Sequence, residues 1–148
     1  LLTNMLKSFN LSSTLINALA LILLLILEAS CQKNKEQSSI KTVSAEEFDQ
    51  LLTRQQERIL LDVRTDKEFS EGHLWNALNY NINDVQFENK ISQLDKSKPV
   101  FVYCLAGSRS ARASEMLASK GFTEVYNLDG GMMKWKAANK PVESSGST

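Results

Sequence analysis

An α/β fold, with a mostly parallel central sheet and helices on both faces in three layers, is what this sequence predicts. Three observations predict it. Strand-like and helix-like patterns alternate along the chain from about residue 40. The two strongest strand candidates, Arg58–Val63 and Val100–Cys104, are largely apolar runs, as expected of parallel strands covered on both faces. A small-residue loop follows the second run and feeds a helix, and sheets of this class bind ligands at the carboxyl ends of their strands.

The elements follow in order. Segment 1–30 reads as a signal peptide, with Met5 the expected start and Lys7 its short charged region. Ala18–Leu27 is unbroken apolar sequence, shorter than the ~18 to 20 residues of a membrane span and suited to a signal core. Ala29-Ser30-Cys31 comes directly after it and is similar to a bacterial lipoprotein cleavage box, with Cys31 as the residue that takes lipid. Glu28 stands where such boxes usually carry an apolar residue. The expected location is therefore the periplasm or cell envelope, with the membrane reached through an N-terminal lipid. An uncleaved anchor and ordinary secretion are the alternatives.

Residues 31–39 are polar and aperiodic and read as a tether. The domain is expected over 40–142. Ile40–Val43 is a short strand, and Ser44 caps a helix with Glu47 completing a capping box. Phe48, Leu51 and Leu52 give that helix its apolar face. Asp66–Glu71 is a short helix ended by Gly72, and Leu78–Ile82 an extended stretch. Val85–Leu94 places Phe87, Ile91 and Leu94 at helical spacing. After the central strand, Ser110–Ser119 carries a stripe of Ala113, Met116 and Leu117 and closes at Gly121. Glu124–Leu128 is the next strand, Gly130-Gly131 a turn, and Met132–Ala138 a helix. Residues 143–148 are expected as a disordered tail.

Bulk properties exclude several classes. The chain has 148 residues, no net charge and 43% hydrophobic residues, which suits one monomeric domain with an extension. Without a basic run, nucleic acid is not a partner. His73 is the only histidine, with no Cys or His cluster around it, so neither a metal site nor a cofactor is expected.

The chemistry concentrates in Cys104-Leu105-Ala106-Gly107-Ser108-Arg109. Backbone N–H groups from Leu105 to Ser110 converge where a helix begins, and favour thiolate over thiol. Gly107 lets the backbone curve, and Ser108 and Ser110 can cap the helix. The chain holds two cysteines. With Cys31 lipidated, Cys104 has no partner within the chain, and a lone thiol in an oxidising compartment is better explained by reactivity than by packing.

The loop resembles the active-site loop of rhodanese-type sulfurtransferases, often Cys-x-x-Gly-x-Arg-Ser or Thr. Three further stretches fit that family in order: Leu61-Asp62-Val63-Arg64 with Glu68-Phe69; Glu71-Gly72-His73-Leu74-Trp75-Asn76-Ala77; and Leu128-Asp129-Gly130-Gly131-Met132-Met133-Lys134-Trp135. Asn76 departs from the family's frequent Gly, and Leu105 from its frequent basic or polar residue.

The resemblance implies the three-layer fold and sulfur transfer through a Cys104 persulfide. The donor would be a small molecule or protein-borne sulfur, the acceptor a thiol. Arg109 either holds an anionic donor or braces the loop from outside. Asp62 and Arg64 read as a structural ion pair or loop brace, and His73 as the owner of a fixed hydrogen bond. Met132, Met133 and Trp135 read as packing.

Leu105 and Ala106 make the loop less charged than one built for thiosulfate. The rival chemistry, a cysteine phosphatase, needs Cys-x5-Arg; this loop is Cys-x4-Arg, with Ser110 where that arginine would stand. A non-catalytic binding module of the same family is a third class, though such modules often lack the cysteine.

Overall fold

The computed structural model describes Leu21 and residues 39–144. Apart from Leu21, the expected signal, Cys31 and nearly all of the tether lie outside the described residues, as do residues 145–148 of the tail. Within residues 39–144 five strands and five helices alternate: β1 Ser39–Val43, α1 Ala45–Arg54, β2 Ile59–Asp62, α2 Asp66–Ser70, β3 Leu78–Asn79, α3 Phe87–Ser92, β4 Val100–Tyr103, α4 Ser108–Ser119, β5 Glu124–Leu128 and α5 Gly131–Ala137. The sheet runs β1-β5-β4-β2-β3, and every pairing is parallel.

The apolar runs decide this arrangement. All four residues of β2 and all four of β4 are buried, which only a sheet covered on both faces allows. Alternation along a strand sends neighbours to opposite faces. Leu61, Val63, Val100, Val102 and Cys104 therefore pack with Phe87 and Ile91 of α3 and Ala113 and Leu117 of α4. Leu60, Phe101 and Tyr103 pack on the other face with Phe48 of α1 and with Met132 and Trp135 of α5. There Phe48 meets Phe101 edge-on at 5.2 Å and Trp135 at 6.2 Å between ring centres. Each such fully buried ring contributes roughly 1.5–3 kcal/mol by leaving water.

Several boundaries differ from expectation. β1 opens at Ser39, inside the expected tether, because its N–H reaches Thr123 O and its residues pair with β5. Glu143 does not open a tail: it exchanges two backbone bonds with His73, both 2.8 Å. At α1, Ser44 accepts from Glu47 N but the reciprocal bond is missing; the complete capping box is at α2, between Thr65 and Glu68. Among the described residues, no helix is long and apolar enough to cross a membrane.

Candidate active site

Strand β4 delivers Cys104 to the carboxyl edge of the sheet, on the α3/α4 face, where it is 1% exposed. The chain turns at Gly107, whose φ of +101° is a left-handed conformation that suits glycine. That turn points the Gly107 N–H back at Cys104 Sγ, 3.1 Å away. Gly107 is also the N-cap of α4, and no side chain caps this helix. The expected caps, Ser108 and Ser110, are thus corrected: Ser108 is exposed, and Ser110 lies inside the first turn.

Ser110 has another use. Its single hydroxyl proton has two acceptors in reach, Gly107 O at 3.0 Å and Cys104 Sγ at 3.5 Å. A sulfur bearing charge is the stronger acceptor. Burial pushes the Cys104 thiol up, but the Ser110 hydroxyl and the N–H groups of Ser110, Gly107 and Ala106 push it down and prevail. The expectation of a depressed thiol therefore agrees with the geometry. The converging donors are these four, not the whole run from Leu105. Leu105 and Ala106 themselves face solvent, Leu105 at 44%.

A second helix holds the loop from behind. The first N–H groups of a helix lack partners within it. In α5 two of them go to the loop: Met132 N–H to Cys104 O at 2.8 Å and Met133 N–H to Leu105 O at 3.0 Å. This close approach explains the glycine pair. A Cβ on Gly131, at φ +54°, would overlap the Cys104 carbonyl oxygen, and one on Gly107 would fall 3.3 Å from Gly130 N. The sequence reads Gly130-Gly131 only as a turn; its contact with the loop is what that reading missed. Met132 is buried as expected, whereas Met133 is 61% exposed, so only the first is packing.

Arg109 is committed to a carboxylate. Its guanidinium holds Glu68 with two bonds, at 2.9 and 2.6 Å, in a pair about one-quarter exposed. Of the two expected roles, this geometry is the brace. Glu68 also accepts from Thr65 N at 3.1 Å and Thr65 Oγ1 at 2.8 Å, so one carboxylate ties the cap of α2 to the thiol loop. The Arg109 hydrogen bond, joined by those from Thr65, lowers the Glu68 carboxyl to about 2 against opposing burial. Helix α2 buries no residue of its own, so these bonds and the stacking of Phe69 on His73 hold it in place. The Thr65-x-x-Glu68 spacing was a legible cap signal; its reach across 41 residues to Arg109 was not.

Asp62 and Arg64 form the expected structural pair. Arg64 donates to Asp62 at 2.5 to 3.0 Å and to Gly72 O at 2.7 Å. Neither makes a hydrogen bond to residues 104–110 among the described contacts, so they brace the scaffold and not the loop directly. His73 stacks on Phe69 at 3.8 Å, with Nδ1 3.0 Å from Phe69 O, again the fixed bond expected. Trp135 is core, and its indole N–H donates to Pro141 O at 2.9 Å. Asn76 sits at φ +62°, a conformation Asn tolerates better than most residues, which accounts for its standing in a glycine's place. No group of three or more Cys, His, Asp or Glu able to hold a metal occurs among the described residues.

Comparison with known proteins adds to this geometry. The rhodanese-like domain profile matches residues 44–138. An uncharacterized Bacillus subtilis protein, YqhL, is 38% identical over 100 residues, covering 68% of this chain and 75% of that protein. The thiosulfate sulfurtransferase GlpE of Shewanella oneidensis is 34% identical over 102 residues, covering 69% of this chain and 98% of that one. Among solved structures, the rhodanese-like domain of an Anabaena protein superposes with a TM-score of 0.62 at 29% identity, covering 72% of this chain and 83% of that one.

Proposed function

This chain belongs to the rhodanese-like domain family, and from that premise we propose that it is a sulfurtransferase carrying a sulfane sulfur on Cys104. One observation carries the reading. Cys104 Sγ accepts the Gly107 N–H at 3.1 Å with the Ser110 hydroxyl at 3.5 Å, so its thiol is acidic although buried.

In the first step the Cys104 thiolate attacks the outer sulfur of a donor. A new S–S bond forms, the donor's S–S bond breaks, and the leaving group keeps the electron pair; from thiosulfate that group is sulfite. The persulfide's outer sulfur extends about 2 Å beyond Sγ, farther from the buried position. Backbone N–H groups stabilise its charge without a proton donor, as in an oxyanion hole. In the second step an acceptor thiolate, or cyanide, attacks that outer sulfur and the Cys104 thiolate leaves. No net oxidation occurs and no cofactor is called for.

Arg109 is engaged by Glu68, and Leu105 and Ala106 bring no charge. A dianion such as thiosulfate therefore gains little at the loop mouth, which favours donors of lower charge, such as a protein-borne or small-molecule persulfide. The same engagement of Arg109, one residue nearer than a phosphatase needs, disfavours phosphate monoesters.

Intact-mass measurement tests the reading. Exposure to a sulfane donor adds about 32 Da, one sulfur atom, which reduction removes. Cys104→Ser acquires no such adduct and transfers no sulfur to cyanide. A reducible adduct retained in Cys104→Ser refutes the assignment.

We infer further that Cys31 takes lipid and that residues 32–38 tether the domain to a membrane surface, on the strength of the Ala18–Leu27 run and the Ala29-Ser30-Cys31 box. Labelled fatty acid enters the wild-type chain but not Cys31→Ala; equal labelling of both overturns it.

A further inference from the structure

The sheet face opposite Cys104 carries a cleft of about 380 Å³ that the chemistry above does not use. Its floor is Leu52, Leu60, Leu74 and Trp135, all buried and all in the α1/α5 core. Trp75, 67% exposed, and Val142, 43% exposed, form a rim. No residue of the 104–110 loop lines it. The size is that of a small-ligand site with apolar walls and few polar groups.

Those polar groups are unequal. Arg58, just before β2, stands at the end of the cleft where that strand begins. Its NH1 donates to Gln55 O at 2.8 Å, but its Nε is buried without a partner. An unpaired buried donor is costly, and Gln55 Oε1, three residues away, is likewise buried without a partner. The two carboxylates of the lining are placed differently. Asp49 is already paired with Lys140 at 2.6 Å, and Glu143, half exposed at the rim, has His73 Nε2 at 3.9 Å. The cleft thus combines an apolar floor and an indole rim with, at one end, a guanidinium whose NH1 is bonded to Gln55 O and whose Nε has no partner.

We propose that this cleft binds a small organic carboxylate with an aromatic or branched apolar body, its carboxylate on the Arg58 guanidinium and its body between Trp75 and the Leu52–Leu60 floor. Carboxylate geometry matches guanidinium donors in pairs. The body takes apolar contact from both indoles.

The test uses the full chain and intrinsic fluorescence. The chain has two tryptophans, Trp75 and Trp135, and both line the cleft, so emission reports its occupancy. 4-Phenylbutyrate changes the emission saturably, whereas its amide and 4-phenylbutylamine bind about tenfold more weakly, the equivalent of losing a charged hydrogen bond. Arg58→Gln weakens 4-phenylbutyrate by a similar factor. Cys104→Ser leaves it unchanged, which separates this site from sulfur transfer. No saturable response, amine binding as tight as carboxylate, indifference to Arg58→Gln, or loss of binding in Cys104→Ser would each overturn the proposal. The three-ligand comparison runs on the unaltered chain and does not depend on any variant folding.

Discussion

Asp62–Arg64 and Glu68–Arg109 are both arginine–carboxylate pairs, with their carboxylates on the neighbouring elements β2 and α2, but they live in different media. The first is sealed, at 0% and 3% side-chain exposure; the second is open at 25% and 26%. In the sealed pair each charge depends on the other, because water cannot reach either. It also reaches out to Gly72 O, and so locks the end of β2 to the segment that leads into β3. The open pair has water as an alternative for either partner. Its contribution is positional: it decides where Arg109, and with it the outer side of the thiol loop, comes to rest. The same two groups thus serve stability in one place and geometry in the other.

The largest effect expected is from breaking the sealed pair. Asp62→Ala strands a buried guanidinium, a change that typically costs about 3–5 kcal/mol. Urea unfolding measures it, and a loss under about 1 kcal/mol would mean that Arg64 finds water after all. Breaking the open pair is milder. Glu68→Gln keeps the capping geometry, since Gln also completes such boxes, and loses about 0.7 kcal/mol of ion pairing. It also frees Arg109. The KM for thiosulfate should fall roughly threefold, the Boltzmann equivalent of that energy; an unchanged KM would show that Arg109 cannot reach a donor even when released.

Acid sharpens the contrast. Arg109 and Thr65 lower the Glu68 carboxyl from 4.5 to about 2 in the folded chain. A depressed carboxyl contributes stability that is full above its unfolded value and lost as pH falls through the folded one. The stability gap between wild type and Glu68→Gln should therefore be constant above pH 4.5 and close as pH falls below it. A gap that persists at the acid end would remove the ion pair as its source. The smallest effect lies within the loop. Ser110→Ala deletes one of four donors to Cys104 Sγ and should move the alkylation midpoint upward by roughly half a pH unit, as for one modest hydrogen bond. No movement would assign the acidity to the backbone N–H groups alone.

The sequence disclosed most of the scaffold because burial on two faces leaves a continuous apolar record, as in Val100–Tyr103. It disclosed the thiol loop because small residues between a strand and a helix have few other uses. Even the short β3 was foreshadowed: backbone bonds continue past it, from Tyr80 N to Asp62 O and Ile82 N to Val63 O. What stayed hidden are contacts between distant stretches with no periodic trace. Glu68 reaches Arg109 across 41 residues, and His73 pairs with Glu143 from what looks like a tail. Ser108 and Ser110 looked like caps because serine favours that role; a left-handed Gly107 took it instead.

The grip of α5 on the loop has a consequence for how the molecule comes into being. The carbonyls of Cys104 and Leu105 have their partners at Met132 and Met133, which leave the ribosome later than the cysteine does. At ~5–20 residues per second that delay is on the order of seconds. Throughout it the nascent chain bears a cysteine whose loop is only half fastened. The donors to the sulfur itself, Gly107 N–H and Ser110 Oγ, are made early and lie within the loop and the first turn of α4, so what α5 adds last is the fastening of the loop backbone.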